Sequence, residues 1–282
     1  MSSLTLARPT TLLEELRKIP AFLRRDFLIM VSYRVALLGD WFNLIAQVVV
    51  FYFVSKLIPT ETMPVFSGVQ PNYMEFVVTG IVPTAFLQIG ITRVIAVLRQ
   101  EQHMGTLEPL LAAPLTPATL QLGSVAYDLV YVPIRSIMFL LMSAIFFDVS
   151  FNTGGLGPTV GVLLVFIPFV WGLGMLGSAS VLTLKRGAGV VGFASTFLIL
   201  GSGTYFPLSV FPGWVQDLAV FNPVALALQA TRETLIGTDG WGETLPQILR
   251  LLPSSILTLV LGLSAFAFAL KRERRRGTLG MY

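Results

Sequence analysis

The 282-residue chain is 54% hydrophobic and 12% charged, with a mean hydropathy of +0.78, whereas a soluble domain carries about twice that charged fraction. A net charge of +4, with basic residues at the ends of apolar segments and no basic patch interleaved with aromatics, argues against nucleic-acid binding. With no cysteine and His103 as the only histidine, disulfide frameworks, thiolate or paired-histidine metal centres and Ser-His-Asp catalysis beyond that one residue are excluded.

Thr11 and Glu14 form a capping box, and Leu12, Leu13, Leu16 and Ile19 follow at helical spacing. Pro20 is expected to interrupt this helix, which resumes with Phe22, Leu23 and Phe27 beside Arg24, Arg25 and Asp26. Such a pattern suits an interfacial helix within residues 1–34. Its basic residues also argue against a cleavable signal.

A bilayer crossing needs roughly 20 mainly apolar residues. Stretches at 35–57, 73–98, 124–147, 156–184, 188–206 and 248–270 meet that need, predicting an all-α integral membrane protein with six transmembrane helices in one domain, 35–282. Arg17, Lys18, Arg93, Arg99, Lys185, Arg186 and the cluster from Lys271 to Arg276 then fall on one side, while loops 58–72 and 148–155 contain no Lys or Arg. The positive-inside rule places both termini in the cytoplasm of a multi-pass plasma-membrane protein.

On the first span, Asp40, Asn43 and Gln47 share a face. Either this face lines a path, or Asp40 sits at headgroup depth and the amides bond across helices. On the third span, Asp128 and Arg135 share a face about 10 Å apart. Arg135 is expected to meet a partner from another helix or a subunit interface, in a structural ion pair in preference to a substrate contact.

Between the second and third spans, Arg99, Glu101 and Glu108 keep 99–116 out of lipid, while Leu107, Leu110 and Leu111 form an apolar face. That face either docks in a groove of a partner or packs on the chain's own interfacial helix. Thr116-Pro117 restarts a helix. Two runs, 172–177 and 187–192, satisfy G-x-G-x-x-G but lack the acidic residue a dinucleotide site needs; close approach of membrane helices accounts for both. No G-x-x-x-x-G-K-[ST] loop is present, so phosphate chemistry must come from another polypeptide.

Pro207, Pro212, Pro223 and Gly237 break 207–247 too often for a span. Asn222-Pro223 reads as an N-cap and first helical position, opening a helix to about Leu235, and Trp214, Leu218 and Phe221 mark a shorter helix before it. These are half-helices dipping into the outer leaflet or a folded loop on its surface.

The run Glu101-Gln102-His103-Met104-Gly105-Thr106-Leu107-Glu108-Pro109-Leu110-Leu111, followed by Pro114, resembles the E-x-x-x-G-T-L-E-x-L-L…P signature of ABC-2 transporter permeases. Gly203-Thr204-Tyr205-Phe206-Pro207-Leu208-Ser209, Pro212, Trp214, Asn222-Pro223 and Arg232 resemble that family's G-x-x-F-P-x-S…P-x-W…N-P…R pattern. The resemblance implies a homodimer, or a pair with a related permease, bound to two cytoplasmic ABC ATPase subunits. ATP and Mg would sit on the ATPase, and no cofactor on this chain. Residues 101–114 would be the coupling helix. The first, second and fifth spans would line the path, with Asp40, Asn43, Gln47, Phe51, Tyr205 and Phe206 as candidates, and the half-helices after Phe206 would form the exit. The implied activity is export of an amphipathic drug-, lipid- or glycoconjugate-like cargo without catalysis by this chain. An ion-driven secondary transporter is the alternative; it would need charged midplane half-helices and an inverted repeat, which the sequence lacks.

Overall fold

The fold comes from a computed structural model that describes residues 17–105, 117–184 and 187–276. The described residues form helices joined by turns, with no strand among them. Helix α1 is Ile19–Ser32. Pro20 occupies the first turn of this helix, where a missing N–H leaves no bond unmade. The expected start at Thr11 lies outside the described residues. Tyr33 departs from helical geometry, and α2, Arg34–Ser55, follows at once.

Helix α3, Tyr73–Gln88, opens on a capping box that the sequence reading did not identify. Asn72 Oδ1 accepts from Glu75 N at 2.8 Å and Glu75 Oε2 accepts from Asn72 N at 2.9 Å. A π-helical segment, Ile89–Arg93, continues directly into α4, Val94–His103. Then come α5, Pro117–Phe147, and α6, Leu156–Leu184. Helix α7 is Gly187–Leu200, and two short helices, α8 at Gly213–Ala219 and α9 at Pro223–Leu235, precede α10, Trp241–Arg276.

Among the described residues, five stretches are long and apolar enough to cross a membrane: Arg34–Ser55, Tyr73–Glu101, Gln121–Phe147, Thr153–Thr183 and Trp241–Glu273. The expected span 188–206 is not among them. Helix α7 has 14 residues, about 21 Å of rise against a hydrocarbon core of roughly 30 Å. Gly203, at φ +75°, sits in the turn that follows it. The last span starts earlier than expected, at Trp241, because Pro246 and Pro253 are both accommodated inside α10.

Glycine sets the closest crossings. A Cβ on Gly172 would lie 2.4 Å from the Thr258 carbonyl oxygen of α10, and one on Gly174 would lie 2.4 Å from the Gly90 carbonyl oxygen. The first G-x-G-x-x-G run thus lets α6 approach two neighbours through backbone on opposite faces, as small residues do in lipid. Gly192, in the second run, faces open space among the described residues. Around α6 the core gathers Phe86, Leu87, Val94, Phe166, Val224 and Leu228, drawing on α3, α4 and α9. Helix α1 has no buried residue and lies at the edge of the bundle. It is seated by the Phe22 ring lying flush on Gly123 of α5, where a Cβ would come within 2.7 Å.

Candidate functional site

The charged residues concentrate at the end of the bundle where α1, α4 and the start of α5 meet. Glu101 and His103 occupy the last turn of α4, and Gly105, at φ +68°, follows them in the left-handed conformation that closes a helix. Arg25 of α1 reaches Glu101 at 3.5 Å and pairs with Asp26 at 2.8 Å. Thr106, Leu107, Glu108, Leu110, Leu111 and Pro114 lie outside the described residues, as does the side chain of His103.

Deeper in the bundle, two further ion pairs join neighbouring helices. Arg93, in the π segment, donates from Nε to both carboxylate oxygens of Asp128 on α5 at 3.1 Å. Arg135, also on α5, lies 3.3 Å from Asp40 of α2. The Tyr131 hydroxyl donates to the same Asp40 at 2.6 Å. Arg135 therefore finds its partner on another helix, and Asp128 pairs elsewhere. Asp40 bonds across helices, whereas Asn43 is exposed and Gln47 half-buried, and neither makes a side-chain hydrogen bond among the described residues.

At the opposite end, Phe51 stacks on Tyr205 with ring centroids 6.3 Å apart. Tyr205 and Phe206 are not in a span; they lie in the exposed turn after α7. Pro207 precedes a single 3-10 turn, Leu208–Val210, and Pro212 caps α8. Trp214 is exposed. Asn222 and Pro223 open α9 as the sequence predicts: Asn222 Oδ1 accepts from Val224 N at 3.0 Å. Its Nδ2 donates to the Leu198 carbonyl at 2.9 Å, tying α9 to α7.

Arg232 is the buried cation of this end. It is 4% exposed and donates to the carbonyl oxygens of Phe76, Gly203 and Thr204 at 3.0–3.2 Å. Burial lowers its pKa from the ordinary arginine value to about 9, which leaves it a cation at neutral pH. Gly80 makes room for it, since a Cβ there would lie 2.6 Å from Nη2.

Sequence reasoning missed the Arg93–Asp128 pair, Tyr131 and the π segment. A lone arginine about four-fifths of the way along the predicted span 73–98 is the available signal, and topology alone gives it no partner. The arrangement brings Asp40 together with Arg135, and Phe51 together with Tyr205; it does not bring the polar stripe of α2 to one partner.

No curated protein shows significant sequence similarity to the chain. Residues 17–236, more than three quarters of the sequence, match the ABC-2 type transporter family. With five bilayer-length helices among the described residues and that match, the chain is a multi-pass membrane permease and belongs to the ABC-2 type transporter family.

Proposed function

We propose that the chain is the membrane subunit of an ATP-driven exporter that carries an amphipathic cargo, of drug-, lipid- or glycoconjugate type, out of the cytoplasm or inner leaflet. The family match over residues 17–236 carries this reading. The basic end faces the cytoplasm of the plasma membrane, with both termini on that side. There the segment after α4, including Glu101, His103, Gly105, Thr106, Leu107, Glu108, Leu110, Leu111 and Pro114, docks on a separate ABC ATPase. Two ATPase copies serve a homodimer or a pair with a related permease, and hold the ATP and Mg. Closure of the ATPases pushes on this segment, and the thrust enters the bundle through α4 and its π segment. Asp40, Asn43, Gln47, Phe51, Tyr205 and Phe206 border the path. Pro207, Pro212, Trp214, Asn222, Pro223 and Arg232 shape its exit.

Reconstitution with an ABC ATPase encoded beside the permease tests the proposal. ATP is expected to drive movement of a fluorescent amphiphile across the liposome membrane, and Gly105→Val with Glu108→Ala is expected to abolish it while leaving the ATPase bound nucleotide intact. Transport that needs only a proton gradient would replace this reading with the ion-driven one.

A further inference from the structure

Two cavities flank α1. The larger, of about 770 Å³, opens between α1, the start of α2, α4 and α5, and is lined among others by Arg25, Asp26, Tyr33, Arg93, Glu101 and Tyr127. On the other flank a cavity of about 370 Å³ is walled mainly by apolar groups, such as Leu23, Phe27, Val130 and Ile134. Met30 and Tyr127 line both, so the charged and apolar spaces adjoin beneath the helix. Each volume falls within the range of small-ligand pockets.

The larger cavity carries both signs of charge. Arg93 spends its Nε on Asp128, and because a guanidinium presents five N–H donors in a fixed fork, its terminal nitrogens keep donors for a ligand. The Arg93 and Arg25 side chains are 50% and 41% exposed, so neither is sealed off by its carboxylate. Asp26 and Glu101 lie beside Arg25. A purely anionic ligand would meet these carboxylates, and a purely cationic one would meet the two guanidiniums. A zwitterion with adjacent phosphate and ammonium groups complements both. Helix α1 also indicates the source: it leaves Phe27, Leu28 and Val31 exposed and buries nothing fully, the pattern of a helix lying in the headgroup region.

We propose that the charged cavity binds the phosphoethanolamine headgroup of a membrane phospholipid. Its phosphate lies against Arg93 and Arg25, its ammonium against Asp26 and Glu101, and an acyl chain runs into the apolar cavity beneath α1. The lipid holds α1 to the bundle, and this role is independent of what the permease carries.

Native mass spectrometry of the full chain in detergent tests the site, with phosphatidylethanolamine, phosphatidylcholine, phosphatidylglycerol and soluble phosphoethanolamine offered in turn. One phosphatidylethanolamine per chain is expected to bind about tenfold more tightly than the other lipids, because choline has no N–H to donate and glycerol no charge. Arg93→Gln and Asp26→Asn are each expected to remove the preference. Ala36→Phe, which fills the cavity wall without altering a charge, is expected to lower retention of the lipid, and Arg275→Gln to leave it unchanged. Equal retention of the three lipids, a preference for phosphatidylglycerol, or a preference that survives all three cavity substitutions would overturn the proposal. Binding of the soluble headgroup as tight as that of the lipid would overturn the membrane source.

Discussion

The guanidinium of Arg232 sits 3.6 Å from the centre of the Phe76 ring while its Nε donates to the carbonyl of the same residue at 3.2 Å. One arginine on α9 thus grips α3 through ring and backbone together, and holds the turn after α7 through Gly203 and Thr204. Arg232→Met is expected to leave three buried carbonyls without this donor and to lose at least about 3 kcal/mol. Arg232→Lys should lose less, because an ammonium keeps the charge but lacks the planar fork. Thermal unfolding in detergent reads both, and a methionine variant as stable as the parent would show that the carbonyls find other donors.

Asp40 and Arg135 join α2 to α5 at 3.3 Å, and each side chain is about a third exposed. Solvent screening limits such a pair, so a double-mutant cycle with Asp40→Asn and Arg135→Gln is expected to return a coupling of about 1 kcal/mol. Tyr131→Phe, which removes the hydroxyl donated to Asp40, should weaken the same contact. Additive single losses would mean that the pair contributes nothing beyond its separate residues.

Glycine substitutions separate crossing points from open positions. A Cβ on Gly90 would fall 2.1 Å from the Val170 carbonyl oxygen, and backbone cannot swing aside as a side chain can. Gly90→Ala is therefore expected to cost about 1–3 kcal/mol or more through overpacking. Gly39 and Gly192 have no neighbour within 4 Å, and alanine there should stay within about 0.5 kcal/mol. Unfolding midpoints of the three variants, measured side by side, give the ranking.

Asn222→Ala removes both the cap of α9 and the bond to Leu198. Loss of a cap alone costs about 0.5–2 kcal/mol, and the tie to α7 adds to it. Asn222→Asp should retain the cap and lose only the amide donation. Hydrogen exchange at Val224 and Leu226 distinguishes the two variants, with faster exchange expected for alanine.

Local chemistry made part of this architecture readable in advance. Leu156–Leu184 is bounded as expected, because Gly154-Gly155 precede a mainly apolar run and Lys185-Arg186 follow it. Asn222-Pro223 announced α9 through capping alone. The helix of the fifth expected span ends at Leu200 and not at Phe206: Leu198, Ile199, Leu200, Tyr205 and Phe206 read as one apolar stretch, but Gly201, Ser202 and Gly203 stop the helix inside it. Partner choice among charges was not legible: Asp128 and Arg135 share a helix face, yet each pairs with a different neighbouring helix, because helix crossing sets which groups meet. The π segment left no sequence signal, and it carries the arginine that reaches Asp128.

Burial is divided unevenly among the spans. Within their most apolar windows, Tyr73–Glu101 is 61% buried and Arg34–Ser55 only 11%, and α2 fully buries just Leu44 and Val48. The first span leans on α3 and α5, where Leu44 and Val48 meet Met74, Val78 and Phe139, and Asp40 ties it to α5. Of the five candidate spans among the described residues it is the least buried, so a tilt of this helix uncovers the least packed apolar surface.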